Sequence, residues 1–281
     1  EQPAVISAIM KQQTTERARI VLNEAMDIHA GASICLGYSN FLEKFYRSAP
    51  IGITVEGSNT LTRSLIIFGQ GLNKSHPHIF PLLETILNND KNEFSKNFTN
   101  IVKHSLRLYF QTFSSCRALE QQIIDFACLT NFVALKGGSI KKEQMLSGDM
   151  ADIFSNLYLG LAVNYYDEKY KTSEKLTNYV IRKLTNENQV KLNKIIANLG
   201  PERFLLNHLK KSIIPENYKN EREIYGEIMS NPVILENIQK NIHIHGVLKD
   251  MKDILLTDKN SSRYKDLYNR IINVGEFDIE K

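Results

Sequence analysis

Apolar residues recur along this chain at steps of three and four and almost nowhere alternate, which confines it to helices. Phe94, Phe98, Val102, Ser105, Tyr109 and Phe113 form one such row. Leu119, Ile123, Phe126, Thr130 and Val133 form a second, closed by Gly137-Gly138, and Met150, Phe154, Leu157, Leu161 and Tyr165 a third. Residues three and four apart share one face of an α-helix, so each row is the stripe that an amphipathic helix buries. Aromatic stripes of this kind are far more often core than binding site, and all three are read as core. Joined by short connections, they predict an antiparallel bundle. The fold class is all-α.

Upstream, one helix is predicted from Val5 to about Ala30, with Pro3 in its first turn, a break allowed at Thr14-Thr15, and Gly31 as its C-cap. Ser39 caps a short helix through Arg47, which Pro50 stops. Residues 51–55 read as extended, and a further helix runs from Ser58 to about Gln70. Gly71, Pro77 and Pro81 mark a change of direction, which divides the chain into helical domains at 1–75 and 76–281. Beyond Lys169, helices are expected near 173–184, 187–199, 221–230, 233–240 and 262–273.

The 281 residues suffice for one large or two ordinary domains, and 42% hydrophobic with 23% charged residues is a globular composition. A net charge of +4, with no Lys/Arg stripe interleaved with aromatics, argues against nucleic acid as a partner. Cys35, Cys116 and Cys128 are scattered, odd in number and without metal-ligand spacing, which predicts a reducing, cytoplasmic location. No metal site is expected. His243 and His245 would point to different sides of a helix, and His76-Pro77-His78 reads as a helix-start turn. The chain opens at Glu1 in a helix already under way and reads as a piece of a longer protein.

Glu56, in Ile53-Thr54-Val55-Glu56-Gly57-Ser58-Asn59, is the strongest candidate for chemistry. An apolar stretch delivers the chain, Gly57 permits a sharp turn, and Ser58 and Asn59 can cap the helix that follows. A carboxylate at such a junction is expected to be desolvated, which raises its pKa and makes it a proton acceptor near neutral pH. The plainer alternative is a helix-start Glu that complements the macrodipole.

Three segments fall in order within about 40 residues, a combination far more specific than any one of them. They are Ala25-Met26-Asp27-Ile28-His29-Ala30-Gly31, Phe45-Tyr46-Arg47-Ser48-Ala49-Pro50, and Val55-Glu56-Gly57-Ser58-Asn59 with Arg63. Together they resemble the end of the catalytic domain of the flavin-dependent acyl-CoA dehydrogenases. The run Thr54 to Gly71 is similar to the long bacterial members that carry an additional helical C-terminal region. Leu135-Lys136-Gly137-Gly138 and the stretch from Gly148-Asp149 to Tyr158-Leu159 resemble that appended region.

The resemblance implies dehydrogenation of fatty acyl-CoA to trans-2-enoyl-CoA, the first step of fatty acid β-oxidation, with FAD as cofactor. It makes Glu56 the base that takes the α-proton, and the Glu56 N–H a donor to the thioester oxygen. Ser58 and, more weakly, Thr60 would approach the flavin diphosphate at a helix start. Asp27 and Gly31 match positions that reach the adenine half of a flavin held by a neighbouring subunit. Asp27 stands where the family has an amide, and Ala30 where it has a glycine. Arg47 and Arg63 match motif positions at which pairing with a carboxylate is as natural as contact with ligand. An electron-transfer flavoprotein or similar acceptor and a homo-oligomer are implied as partners. Because the resemblance to the catalytic domain ends near residue 75, this piece alone is expected to be inactive.

One rival reading is a helical module for dimerisation or membrane recruitment without catalysis. Residues 204–215 alternate an apolar face with a small basic one, Lys210 and Lys211, and would suit peripheral contact with an inner membrane. An amphipathic helix packed on the bundle is the favoured account of that segment.

Overall fold

The computed structural model describes residues 4–36, 40–114, 116–240 and 246–273, and among them there are helices and no strand. In chain order these are α1 (Ala4–His29), α2 (Gly31–Ile34), α3 (Glu43–Thr54) and α4 (Asn59–Leu61), which runs through a π-helical stretch (Thr62–Gln70) into α5 (Gly71–Ser75). Next come α6 (Ile79–Leu87), α7 (Lys91–Gln111), α8 (Ala118–Ala134), α9 (Gln144–Tyr170), α10 (Glu174–Asn198), α11 (Arg203–Leu206), α12 (Tyr218–Ser230) and α13 (Pro232–Gln239). The last two are α14 (Val247–Leu255) and α15 (Ser262–Asn273). The chain is all-α. Pro3, Ser39, His243 and His245 lie outside the described residues. No described helix is long and apolar enough to cross a membrane.

The compact units are divided otherwise than the sequence regions 1–75 and 76–281. One comprises residues 1–13 with 56–235, the other 14–55 with 236–281. The first has its core where the π-helical stretch, α8, α9 and α10 meet: Ile67, Leu129, Val133, Met150, Ile153, Leu192 and Ile196 are all fully buried. Each such aliphatic side chain contributes about 1.5–3 kcal/mol by leaving water. A buried polar chain crosses this core. Asn156 donates to Asn188 (3.1 Å), Asn188 to Gln122 (3.1 Å), and Gln122 to the carbonyl of Thr185 (2.7 Å). These bonds carry α10 as one helix through Thr185-Asn186, where local propensity suggests the gap between 173–184 and 187–199.

The second unit contains α14 and α15, which pack together around Leu267, with Arg270 paired to Asp250 at 3.2 Å. Its other part corrects several expectations. α1 ends at His29, but Ala30, not Gly31, takes the left-handed turn (φ 48°). Gly31 opens the short helix α2 instead. Ahead of α3 the Asn40 side-chain oxygen accepts from the Glu43 N–H (3.0 Å). α3 runs through Pro50 to Thr54, so residues 51–54 are helical, not extended. Proline removes only its own N–H, the one that would have reached the Tyr46 carbonyl, so the helix loses one bond and continues.

The three stripes of the first unit fare differently. The second is core as expected, with Leu119, Phe126 and Val133 buried. In the third, Met150 and Leu157 are buried, but Leu161 and Tyr165 are exposed. The first is overturned: α7 has no fully buried residue, and Phe94, Phe98, Val102 and Phe113 are exposed. The half-buried side of α7 carries Ile101, His104, Leu108 and Tyr109. Periodicity shows which residues share a face; contact with α6 and α8 decides which face turns inward.

The segment at 204–215 is not one amphipathic helix. After α11 comes a 3-10 turn at Asn207–Leu209, with Leu206 and Leu209 buried as anchors. Side chains of α10 then catch its carbonyls: Gln189 donates to Leu209 (3.0 Å), Asn193 to Lys211 (2.9 Å), and Asn186 to Ile214 (2.8 Å). Captured in this way, the backbone has no use for its own helical bonds.

The turn into α6 is the helix start foreseen at His76-Pro77-His78. His76 Nδ1 accepts from the N–H groups of His78 and Ile79 (both 3.2 Å), which leaves Nε2 to donate to Asn131 Oδ1 (2.9 Å). His104 of α7 stands edge-on to both histidines. Burial pushes His76 below its ordinary pKa of 6.5, against the raising effect of Asn131, with repulsion from His78 adding to the fall. Burial, then repulsion from His76, His78 and Arg107, lowers His104. A histidine whose folded pKa is depressed binds fewer protons in the folded than in the unfolded chain. Stability is therefore full above pH 6.5 and declines as pH falls through 6.5 toward the folded pKa values. Urea unfolding at pH 7.5 and 5.5 should show this loss, and His104→Gln should shrink it. An equal loss in the variant would exclude His104 as a source.

Candidate functional site

After α3 the chain turns on two consecutive left-handed residues, Glu56 (φ 52°) and Gly57 (φ 91°). Glycine takes such an angle freely, whereas glutamate does so at a cost in backbone energy. Ser58 then resumes an extended conformation, and its hydroxyl accepts from the Leu61 N–H (3.3 Å), capping the helical run as its sequence suggests.

The loop is fastened from α1. Lys11 Nζ donates to the Gly57 carbonyl and to Asn59 Oδ1, both at 2.7 Å, and Asn59 is only 3% exposed. The buried Thr62 hydroxyl approaches the same carbonyl at 3.5 Å, and Ser64 donates to the Thr60 carbonyl at 2.7 Å. Sequence reading passed over Lys11. It lies 46 residues from its partner with no local pattern to mark it, although a lone Lys on a largely neutral helix segment was the available signal.

Behind the loop lies an ion cluster. Arg63 donates Nε and Nη2 to the two oxygens of Asp152 (2.6 and 2.7 Å) and reaches Asp149 at 3.4 Å. Lys191 pairs with Asp152 at 2.8 Å and Lys194 with Asp149 at 2.7 Å. The cations hold Asp152 below the usual carboxylate range although burial, the largest single influence, acts upward. A Cβ on Gly148 would stand 2.5 Å from Arg63 Nη1, so glycine leaves the guanidinium its place. Of the two roles that the sequence leaves open to Arg63, pairing with carboxylates is the one found. Arg47 likewise pairs with Glu43, at 3.0 Å on an exposed surface.

Glu56, Ser58 and Thr60 thus fall on one turn and the helix start that follows it, with Glu56 and Thr60 exposed and Ser58 half-buried. The desolvated setting expected for Glu56 is not provided by this chain, in which the residue is exposed. Asp27 and Gly31 are exposed and belong to the other unit.

No solved structure matches the chain. Residues 1–69 match the family model for the acyl-CoA dehydrogenase C-terminal domain, and residues 111–224 match that for the bacterial-type acyl-CoA dehydrogenase C-terminal region. The pinned Glu-Gly-Ser loop and Arg63 fall inside the first match and the rest of the ion cluster inside the second, and the chain belongs to the acyl-CoA dehydrogenase family, as a C-terminal part of it.

Proposed function

We propose that the protein acts in the flavin-dependent α,β-dehydrogenation of fatty acyl-CoA to trans-2-enoyl-CoA, with Glu56 as the base. The observation that carries this reading is the backbone of Glu56, a non-glycine residue held left-handed and exposed beside a carbonyl gripped by Lys11. Conformations of this kind cost roughly 1–3 kcal/mol and persist where the surroundings over-determine them, as at reacting centres. The Glu56 carboxylate takes the proton as the α C–H bond breaks, and that electron pair becomes the new C–C π bond as the β-hydrogen departs with its own pair. FAD, when bound, supplies the acceptor for that hydride. The Glu56 N–H, for which no hydrogen bond is seen among the described residues, is a donor for the thioester oxygen on the same residue as the base.

The residues present suit a flavin dinucleotide. The first intrahelical bond runs from Thr62 N–H to Ser58 O, so the Thr60 N–H precedes it. With the Ser58 and Thr60 hydroxyls it forms a donor set for a diphosphate. Asp27, when ionised, offers only acceptors, which suits an adenine amino group and repels a diphosphate. Nothing lies within 4 Å of a Cβ placed on Gly31, which leaves its backbone open to approach.

The test is anaerobic mixing of the full-length, flavin-loaded protein with a fatty acyl-CoA. Bleaching of the flavin absorbance within seconds is expected. A protein replete with flavin that stays yellow across short, medium and long acyl chains would exclude the reaction.

A further inference from the structure

We propose that the first unit holds a second ligand site, for an aliphatic chain ending in an uncharged carbonyl, in a cavity between the 59–75 helical run, α7, α8 and α9. The inference stands apart from the reading of Glu56, because no residue of the 56–60 loop lines this cavity. Its volume is about 300 Å³, and its walls are apolar along most of their length, Ile67, Phe68, Leu108, Phe126, Phe154 and Leu157 among them. At the close packing of protein interiors, such a volume takes a chain of roughly eight to twelve carbons. Leu161 also lines it and is 49% exposed, so the cavity reaches the surface on that side.

One end is polar. His76, His104, Thr130 and Asn131 all line it. Asn131 Oδ1 is taken by His76, and its buried Nδ2 has no partner among the described residues. A buried amide donor left unpaired costs about 1–3 kcal/mol, and a ligand oxygen seated beside it removes that cost. The tautomer follows from the backbone: two N–H groups donate to His76 Nδ1, so the amide oxygen, not the nitrogen, faces Nε2. His76 and His104 are both lowered in pKa, chiefly by burial, and Arg107 is exposed, so at pH 7.5 this end offers hydrogen bonds without a full charge. A carbonyl of an ester or thioester fits that chemistry; an ionised fatty acid does not.

Calorimetric titration of the full chain at pH 7.5 with methyl decanoate, decanoate and decane tests this. Saturable one-to-one binding of methyl decanoate is expected, with decane and decanoate each weaker by roughly tenfold, the worth of one well-made hydrogen bond. Asn131→Leu should bring methyl decanoate down to the level of decane and leave decane unchanged. Ala127→Leu, which fills the cavity, should abolish both. If that variant fails to fold, Leu161→Glu, at the exposed rim, should do the same without touching the core. The proposal is overturned by absence of saturable binding, by decanoate binding more tightly than its ester, or by variants with unchanged melting temperature that bind as the parent does.

Discussion

Glu56→Gln in the full-length, flavin-loaded protein is expected to slow acyl-CoA-dependent flavin bleaching by roughly 10²–10⁴-fold, the worth of a positioned general base. Glutamine keeps the size and the hydrogen-bonding capacity of glutamate but cannot accept the α-proton. The substitution should leave the fold alone. Glu56 is exposed, and the loop is held by Lys11 through Gly57 and Asn59 and not through the Glu56 side chain. Flavin content and melting temperature should therefore match the parent, which separates loss of chemistry from loss of structure. Near-normal bleaching by this variant would remove Glu56 from the reaction, even if the protein proved to be an active dehydrogenase by another base.

Lys211→Met is expected to destabilise the protein by about 2–4 kcal/mol, a large share of the 5–15 kcal/mol that holds a domain folded. Asp125 of α8 is 0% exposed, and its carboxylate accepts from Lys211 Nζ (2.7 Å) and Gln121 Nε2 (2.9 Å). Without the ammonium group, a carboxylate is left in the core with one neutral donor, beside Cys128, whose thiol is pushed up to about 12 by burial and then by Asp125. Lys211 itself is 45% exposed, so water near its end softens the loss below that of a fully enclosed pair. Adding Asp125→Asn to Lys211→Met should recover much of the stability, because the uncompensated charge is gone. Lys210→Met, at an exposed neighbour with no such partner among the described residues, should stay within about 0.5 kcal/mol. Urea unfolding of the four proteins decides the matter. Equal behaviour of the two lysine variants would show that the ion pair carries nothing. The same result bears on the basic face proposed for membrane contact, since one of its two lysines is committed to the protein's own core.

Much of the site was legible because its signals are local. Left-handed turns favour glycine, helix starts favour Ser and Asn, and these requirements fall on adjacent residues, so Glu56-Gly57-Ser58-Asn59 could be read as a turn into a capped helix. The expectation of a sheltered Glu56 failed for the opposite reason. Burial depends on what packs over a residue, and residues 51–54, which the apolar run predicts to be extended, form the last turn of α3. Lys11, Asp149 and Asp152 were invisible as site-building groups because their partners lie 46 to 89 residues away.

The sequence by itself determined that the chain is helical, where most helices run, and that one carboxylate stands at a glycine turn before a capped helix. Those properties depend on side-chain spacing and on conformational preferences within a few residues. Only the tertiary structure decided that Phe94 and Phe98 of α7 face outward, that α10 continues through Thr185, and that residues 210–216 run beside it without helix. Each of those outcomes rests on hydrogen bonds or packing between distant segments, whose energies exceed the local preferences they override.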